Sequence, residues 1–278
     1  MDIVIPAHDE EKIIARTINR IIGTNSISIA IIANACSDAT AEVASAVGGD
    51  GTTVLETDRP GKAHALNLGD ARCSRFPRAY LDADVELDGE GLSMLGEAMR
   101  DTGAQLAVPA VRIVDDRSSW VTRAYLRAWR ALPSVREGGA GRGVYVLSSD
   151  GHAKVFPLPE DLIADDAYVD RLIRSEDRVV VPEVVVIVHA PRDLRSLVRR
   201  RVRVIAGNRQ LDALGLTSSS HSSGLRALSG LIRGGQVRAL DAAVFTGVSV
   251  AVRGLDLVRR LRGGEIAWGT DSSSREGG

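Results

Sequence analysis

Asp2-Ile-Val-Ile-Pro-Ala-His-Asp-Glu-Glu11 and, after a helical stretch, Ile27-Ser-Ile-Ala-Ile-Ile-Ala-Asn34 decide the fold. Each is a short apolar run, rich in β-branched residues, that breaks abruptly into polar ones. A run apolar at nearly every position marks a strand covered on both faces. Between the two, Asp9–Gly23 carries Ile13, Ile14, Ile18, Ile21 and Ile22 on one side and reads as a helix. Working outward, Ser37–Val47 predicts a helix capped by Ser37 or Asp38. Thr52–Glu56 predicts a strand, Gly61–Cys73 a helix, and Arg78–Leu81 a strand ending at Asp82-Ala-Asp84. Strands alternating with helices imply an α/β fold with a mostly parallel sheet flanked by helices. Ligands of such sheets gather beyond the carboxyl ends of the strands. Four polar clusters follow strands here: His8–Glu10, Asn34–Asp38, Asp58–Lys62 and Asp82–Asp84. Together they describe one expected site.

The second half continues with Ala104–Val114 as a strand, Trp120–Ala131 as a helix and Gly141–Leu147 as a strand after the loop Gly138-Gly-Ala-Gly-Arg-Gly143. The polar segment Pro157–Asp166 leads into a helix at Ala167–Ile173, and Arg178–Val188 is a further strand. From Asp193 the pattern is helical, over Arg195–Leu214 and Gln236–Leu261. A Ser-rich loop, Thr217–Gly224, lies between them, and residues 272–278 form a polar tail. The expected organisation is a catalytic domain over 1–190, with 1–115 as its nucleotide-binding half and 116–190 as its acceptor half. A helical extension over 191–278 follows. Within it Val237, Leu240, Val244, Val248, Ala251, Leu255 and Val258 recur at three- and four-residue steps, an apolar stripe on an amphipathic helix. Such a stripe covers a core, forms a dimer seam, or lies on lipid beside Arg259-Arg-Leu-Arg262. Packing is the reading adopted, with a homodimer as an open outcome.

Composition narrows the function. The 278 residues are 44% apolar, enough for a real core, and the net charge of −1 provides no overall field for nucleic acid. Two cysteines, Cys36 and Cys73, with no zinc spacing, imply reduced thiols. No apolar run approaches the ~18 residues of a membrane span. The opening strand leaves no room for a signal peptide, so a cytoplasmic location is expected, with peripheral attachment to the inner membrane face as a variant. Lysine occurs at Lys12, Lys62 and Lys154 alone, which singles out Lys62 beside the expected site.

Tyr80-Leu-Asp-Ala-Asp84 is the sharpest chemical signal. Two carboxylates at a strand end suit a hard divalent cation that completes its shell with phosphate oxygens. Val4-Ile-Pro-Ala-His-Asp-Glu-Glu11, Ile31–Thr40, Gly61-Lys-Ala-His-Ala-Leu-Asn-Leu-Gly69 and Tyr80–Asp84 resemble, in order and spacing, the four signatures of the family 2 glycosyltransferases of GT-A type. The resemblance covers residues 2–115 closely and the remainder loosely. It implies a metal-dependent transfer of a sugar from a nucleotide-sugar donor to a small-molecule, lipid or glycan acceptor.

Carried over residue by residue, the resemblance places Pro6, Ala7 and Glu10 in the nucleotide pocket. Asn34 falls where the family has the Asp that reads uracil, so a UDP-sugar is favoured and a GDP-sugar remains open. Asp38, Lys62, Asn67 and Asp82 join the donor site, Lys62 at a helix start suited to phosphate. Asp84, Asp82 and His189 become ligands for Mn²⁺ or Mg²⁺. In Pro159–Asp170 the resemblance makes Asp166 the base that deprotonates the acceptor and Asp165 its neighbour, with Glu160-Asp161 as a competing pair; Asp165 and Asp166 also suit a helix N-terminus. Arg203, in the arginine-rich stretch 192–209, is a donor-binding candidate. Arg200-Arg-Val-Arg-Val204 stands where polymerising relatives have Q-x-x-R-W, so transfer is expected to be non-processive; a single displacement would make it inverting, with retention open. Two alternatives stay open: a sugar-1-phosphate nucleotidyltransferase, whose Gly-rich, Arg-containing loop is missing after the first strand, and a non-catalytic nucleotide-binding protein.

Overall fold

The structure, a computed structural model, describes residues 1–23, 27–136, 143–216 and 224–261. Residues 138–142 of the Gly-rich loop, 217–223 of the Ser-rich loop, Arg262 and the tail lie outside the described residues. The chain divides into two compact units, one of Met1–Arg112 with Ala140–Val188, the other of Ile113–Gly139 with His189–Gly278. Residues 116–136, expected with the acceptor half, and 113–115, expected with the nucleotide-binding half, thus cluster with the C-terminal helices.

The first unit is built on seven strands: β1 (Asp2–Ala7), β2 (Ser28–Asn34), β3 (Thr52–Thr57), β4 (Arg78–Leu81), β5 (Leu106–Val114), β6 (Val144–Leu147) and β7 (Arg178–His189). Their order is β3-β2-β1-β4-β6-β5-β7. β1 pairs in parallel with β2 and β4, and β2 with β3, whereas β6 runs antiparallel to β4 and β5. The fold is therefore α/β with a mixed sheet, its parallel half formed by β3, β2, β1 and β4.

Side chains alternate across this sheet. Ile3, Ile5 and Ala7 join Ile29, Ile31, Ala79 and Leu81 in one core. Helix α1 (Ile14–Ile21) adds Ile14, Ile18 and Ile21 to it, and α2 (Thr40–Val47) adds Ala44. On the opposite face α3 (Lys62–Asp70) packs so closely that a Cβ at Gly69 would lie 2.4 Å from Ile32 and 2.5 Å from Val4. Glycine there lets α3 seat on the strands, and its seating fixes Lys62 at the carboxyl edge of the sheet.

Two helix starts differ from the sequence expectation for local reasons, and one helix was not expected. α1 starts at Ile14, not Asp9, because Asp9 is left-handed (φ 52°) and its carboxylate accepts from the Ser37 amide at 2.7 Å. α2 starts at Thr40: neither Ser37 nor Asp38 holds the N-cap position, which falls on Ala39. Asp38 instead accepts from the amides of Thr40 and Glu11, tying the loops after β2 and β1 together. Helix α4 (Gly89–Thr102) has no counterpart in the sequence reading. Asp88 caps it through the Gly91 amide at 2.8 Å, and Leu92, Leu95 and Met99 bury one face. Helices α7 (Ser149–Val155) and α8 (Asp165–Leu172) follow β6.

The second unit packs α5 (Trp120–Arg130), α9 (Leu194–Ala213), α10 (Gly224–Arg233) and α11 (Ala239–Leu261), with the short α6 (Pro133–Arg136). Helix α11 docks on its own chain, as expected, by a face that overlaps the expected stripe only in part: Val237 and Val248 are buried and Val244 packs beside them. Ala242, Phe245, Val248 and Val252 are buried, whereas Leu240, Leu255 and Val258 of the expected stripe are 63%, 50% and 44% exposed. Two aspartates explain the error. Asp241 and Asp256 lie on the buried face because each meets an arginine: Arg127 bonds Asp241 at 2.6 and 2.9 Å, and Arg209 reaches Asp256 at 2.5 Å. A buried carboxylate is tolerated when it is paired, and a hydropathy stripe does not register such pairs. The ring of Phe245 stacks on Tyr125 at 5.0 Å.

Candidate active site

Beyond the carboxyl ends of the parallel strands, Asp82 follows β4 directly. Its amide donates to the carbonyl of Gly143 at 2.7 Å, which draws the start of β6 against it. Gly143 is left-handed (φ 87°), and a Cβ there would lie 2.4 Å from Val85 and 3.2 Å from the Asp82 carboxylate. Only glycine permits this contact without displacing Asp82.

Lys62, the first residue of α3, reaches into the same place. Its Nζ lies 2.7 Å from Asp82 Oδ1 and 2.9 Å from Asp165 Oδ1. Asp165 opens α8 and is buried. Asp166 lines the same recess, together with Leu66, Tyr80 and Tyr145. Its Oδ1 accepts from the Ala167 amide at 2.7 Å, so it also serves the helix start, as its sequence position suggested. The electrostatics are coupled. Burial disfavours the Lys62 ammonium, yet Asp165, Asp82 and Asp166 together hold its proton well above the ordinary lysine range. Burial pushes the Asp82 carboxyl up to about 6; Lys62 opposes the shift, and Asp165 and Asp84 add to it.

The floor is aromatic. Tyr80 stacks between Tyr145 at 4.9 Å and Phe156 at 4.6 Å. Its hydroxyl donates to Asp70 at 2.6 Å, and Asp70 also meets Arg78 and His152. In sequence Tyr80 stands only as the lead-in to the acidic pair, and nothing local marks Tyr145 as a site residue. Strand alternation was the available signal, since Tyr80 and Tyr145 are register partners on β4 and β6.

Several expected donor residues make hydrogen bonds within the chain. Asn34 is fully buried at the end of β2. Its Nδ2 donates to the carbonyls of Arg59 and Gly61 at 3.0 and 3.3 Å, and its Oδ1 accepts from the Gly61 amide at 3.1 Å. Asn34 thus holds the turn that presents Lys62. Asn67 does the same for the acidic segment, exchanging two 2.8 Å hydrogen bonds with the backbone of Leu158. Pro6, Ala7 and Glu10 are buried at the end of β1 and in the loop after it, the Glu10 amide donating to Thr40 at 2.8 Å. Asp84 is exposed on the turn after Asp82. His189, exposed at the end of β7, and the half-buried Arg203 on α9 belong to the second unit. Among the described residues, the one trio of metal-ligating types with converging atoms is His8, Asp9 and Cys36. Each has local work: His8 bonds the Asn34 carbonyl, Asp9 bonds Ser37, and Cys36 donates to Ala7.

The carboxylates of Asp82 and Asp165 already converge on a cation, the Lys62 ammonium. These two carboxylates are hard oxygen donors of the kind that Mn²⁺ and Mg²⁺ prefer, so their chemistry fits such an ion; Asp84, two residues on, is a further carboxylate whose atoms do not converge with theirs in this structure. Among solved structures, the fold is similar to mannosyltransferase PcManGT from Pyrobaculum calidifontis, solved with GDP-Man and Mn²⁺ (TM-score 0.63, 16% identity, 95% of this chain and 87% of that one). It is also similar to glucosyl-3-phosphoglycerate synthase from Mycobacterium tuberculosis, solved with Mn²⁺, UDP-Glc and phosphoglyceric acid (TM-score 0.56, 22% identity, 78% and 80% covered). A third likeness is to mannosyl-3-phosphoglycerate synthase from Rubrobacter xylanophilus (TM-score 0.53, 19% identity, 78% and 76% covered). At these identities the likenesses speak for the fold. A search of curated proteins gave no match. The model of the family "Glycosyl transferase family 2" matches residues 2–152, more than half of the chain, and the chain belongs to that family.

Proposed function

We propose that the chain transfers a hexose from a nucleoside-diphosphate sugar to an acceptor hydroxyl, with Mn²⁺ or Mg²⁺ bound by Asp84 and Asp82. The observation that carries this reading is the convergence of Asp82, Asp165, Asp166 and Lys62 in one recess at the carboxyl edge of the sheet. Family membership supports glycosyl transfer, and relatives of this fold were solved with GDP-Man or UDP-Glc and Mn²⁺. A UDP-sugar is the first donor to test and a GDP-sugar the second.

When bound, the metal ion supplies charge neutralisation to the departing diphosphate. The protein's own groups do the rest. Asp166 takes the proton of the acceptor hydroxyl as its oxygen bonds to the anomeric carbon. The bond from that carbon to the diphosphate oxygen breaks, and the electron pair leaves with the nucleoside diphosphate. A single displacement of this kind inverts the anomeric configuration. Lys62 is placed to exchange its carboxylate partners for diphosphate oxygens. Asn34 and Asn67 act as positioning residues, by holding the Lys62 turn and the acidic segment. Asp165 completes the charge balance.

The test is a thermal-shift titration of UDP, GDP, UDP-glucose and GDP-mannose with and without Mn²⁺, paired with an assay for released nucleoside diphosphate. A metal-dependent rise in melting temperature and slow donor hydrolysis are expected for one base. Neither binding nor hydrolysis across the panel would overturn the reading.

A further inference from the structure

The hydroxyl of Tyr145 is buried and has no hydrogen-bond partner among the described residues. Such a group is unusual, because a buried O–H without a partner forfeits its hydration for nothing. Its surroundings make the omission more telling. Tyr145 lines the recess formed by Lys62, Asp82, Asp165 and Asp166. Burial, and then the neighbouring carboxylates Asp165, Asp82 and Asp166, hold its ionisation well above the ordinary tyrosine range. The group therefore stays protonated and offers a donor. Its ring is fixed by the stack on Tyr80, which limits the directions in which that donor points.

The missing acceptor has a definable chemistry. A bare anion would enter against three carboxylates, and an ammonium group would bring no lone pair for a phenol. A hydroxyl is both donor and acceptor: it gives its proton to a carboxylate and takes a hydrogen bond from the phenol. Carbohydrates carry such hydroxyls.

We propose that Tyr145 is a specificity-determining residue whose hydroxyl donates a hydrogen bond to a sugar hydroxyl seated in the recess, while Asp165 or Asp166 accepts that hydroxyl's own proton in a second hydrogen bond. The inference rests on the glycosyl-transfer reading above and deepens it. Seating that hydroxyl requires Lys62 to swing from its bridge between Asp82 and Asp165. The sugar hydroxyl belongs either to the donor sugar or to the acceptor.

Tyr145→Phe tests this, since it removes one oxygen and keeps the stack. The metal-free variant is expected to unfold at the wild-type urea concentration or slightly above, because no bond is lost in the free protein. With Mn²⁺, affinity for UDP or GDP is expected to stay unchanged. If the hydroxyl belongs to the donor, UDP-glucose or GDP-mannose binds about threefold to tenfold more weakly, the range for one neutral hydrogen bond. If it belongs to the acceptor, donor affinity holds, and KM rises by a similar factor for a reactive acceptor probe drawn from phosphoglyceric acid, glycerol and methyl glucoside. Unchanged donor affinity together with unchanged acceptor KM overturns the proposal. So does a clear loss of stability in the free variant, which would assign the hydroxyl to a structural water. A wild type that binds neither nucleotide-sugar with Mn²⁺ sinks the parent reading and this one with it, whereas a wild type that binds and a variant that matches it sinks this one alone.

Discussion

Replacing Lys62 with Met keeps the length and apolar stem of the side chain and removes the charge between Asp82 and Asp165. Two contacts near 2.8 Å are each worth about 6 kcal/mol of gross attraction at an effective dielectric constant of ~20. Most of that is offset by the cost of taking three charges out of water. Breaking a buried ion pair from one side typically costs about 3–5 kcal/mol, because it strands the remaining charge. Here Asp165 is 7% exposed but Asp82 is 32% exposed, so water screens part of what is left behind. We therefore expect Lys62→Met to destabilise the metal-free protein by roughly 2–4 kcal/mol. Equilibrium urea unfolding followed by far-UV circular dichroism measures this. Tryptophan fluorescence would miss it, since Trp120, Trp129 and Trp268 all fall outside the first unit. The same variant examines the metal site. If Mn²⁺ takes up the charge that Lys62 leaves, about 1 mM Mn²⁺ should raise the urea midpoint of the variant more than that of the wild type. A variant within about 0.5 kcal/mol of wild type, the usual range of surface changes, would show that the bridge contributes nothing. An equal effect of Mn²⁺ on both proteins would place the ion away from Asp82 and Asp165.

Four further outcomes are expected. Asn34→Asp removes two donated hydrogen bonds and sets a carboxylate against the carbonyls of Arg59 and Gly61, so it should cost about 2–4 kcal/mol in urea unfolding; a stable variant with altered base preference would return Asn34 to the base pocket. Gly143→Ala forces a Cβ to 2.4 Å from Val85 at a left-handed position and should cost about 2–4 kcal/mol, with a weaker Mn²⁺ effect because Asp82 moves; wild-type stability would mean that the β6 entry is pliant. Asp84→Ala should abolish the Mn²⁺-dependent gain in melting temperature with UDP or GDP while the metal-free protein stays folded, and full retention of that gain would remove Asp84 as a principal ligand. In the second unit, Arg127→Ala strands the buried Asp241 but exposes a pair that is half in solvent on the arginine side, for about 1–2 kcal/mol by tryptophan fluorescence. Arg127 holds the Asp241 carboxyl below the usual carboxylate range, so this contribution is complete above about pH 4 and fades as pH falls through the lowered value. A difference between the two proteins that persists undiminished into stronger acid would assign it to packing.

The strands were legible because burial on both faces leaves a continuous apolar run, and the site edge was legible because polar clusters must follow those strands where the sheet opens. Partners distant in sequence were not legible. Asn34 reads in sequence as a substituted base reader, whereas its amide is tied to the turn at Arg59–Gly61. Asn67 reads by resemblance as a donor-site residue, yet its amide is engaged by the backbone of Leu158, 91 positions away. Helix α11 misleads for the same reason, since Asp241 and Asp256 are polar in composition and interior by virtue of arginines elsewhere in the chain. These cases point one way. An aspartate in place of Asn34 could accept from Gly61 but not donate to Arg59 and Gly61, so the departure from the family's acidic residue is tied to the turn that carries Lys62. Lys62 in turn sits where two carboxylates need a cation before any metal or diphosphate arrives. One amide, one lysine and two aspartates therefore form a single electrostatic unit, and the free site is held together by the same charges that the proposed donor complex would have to rearrange.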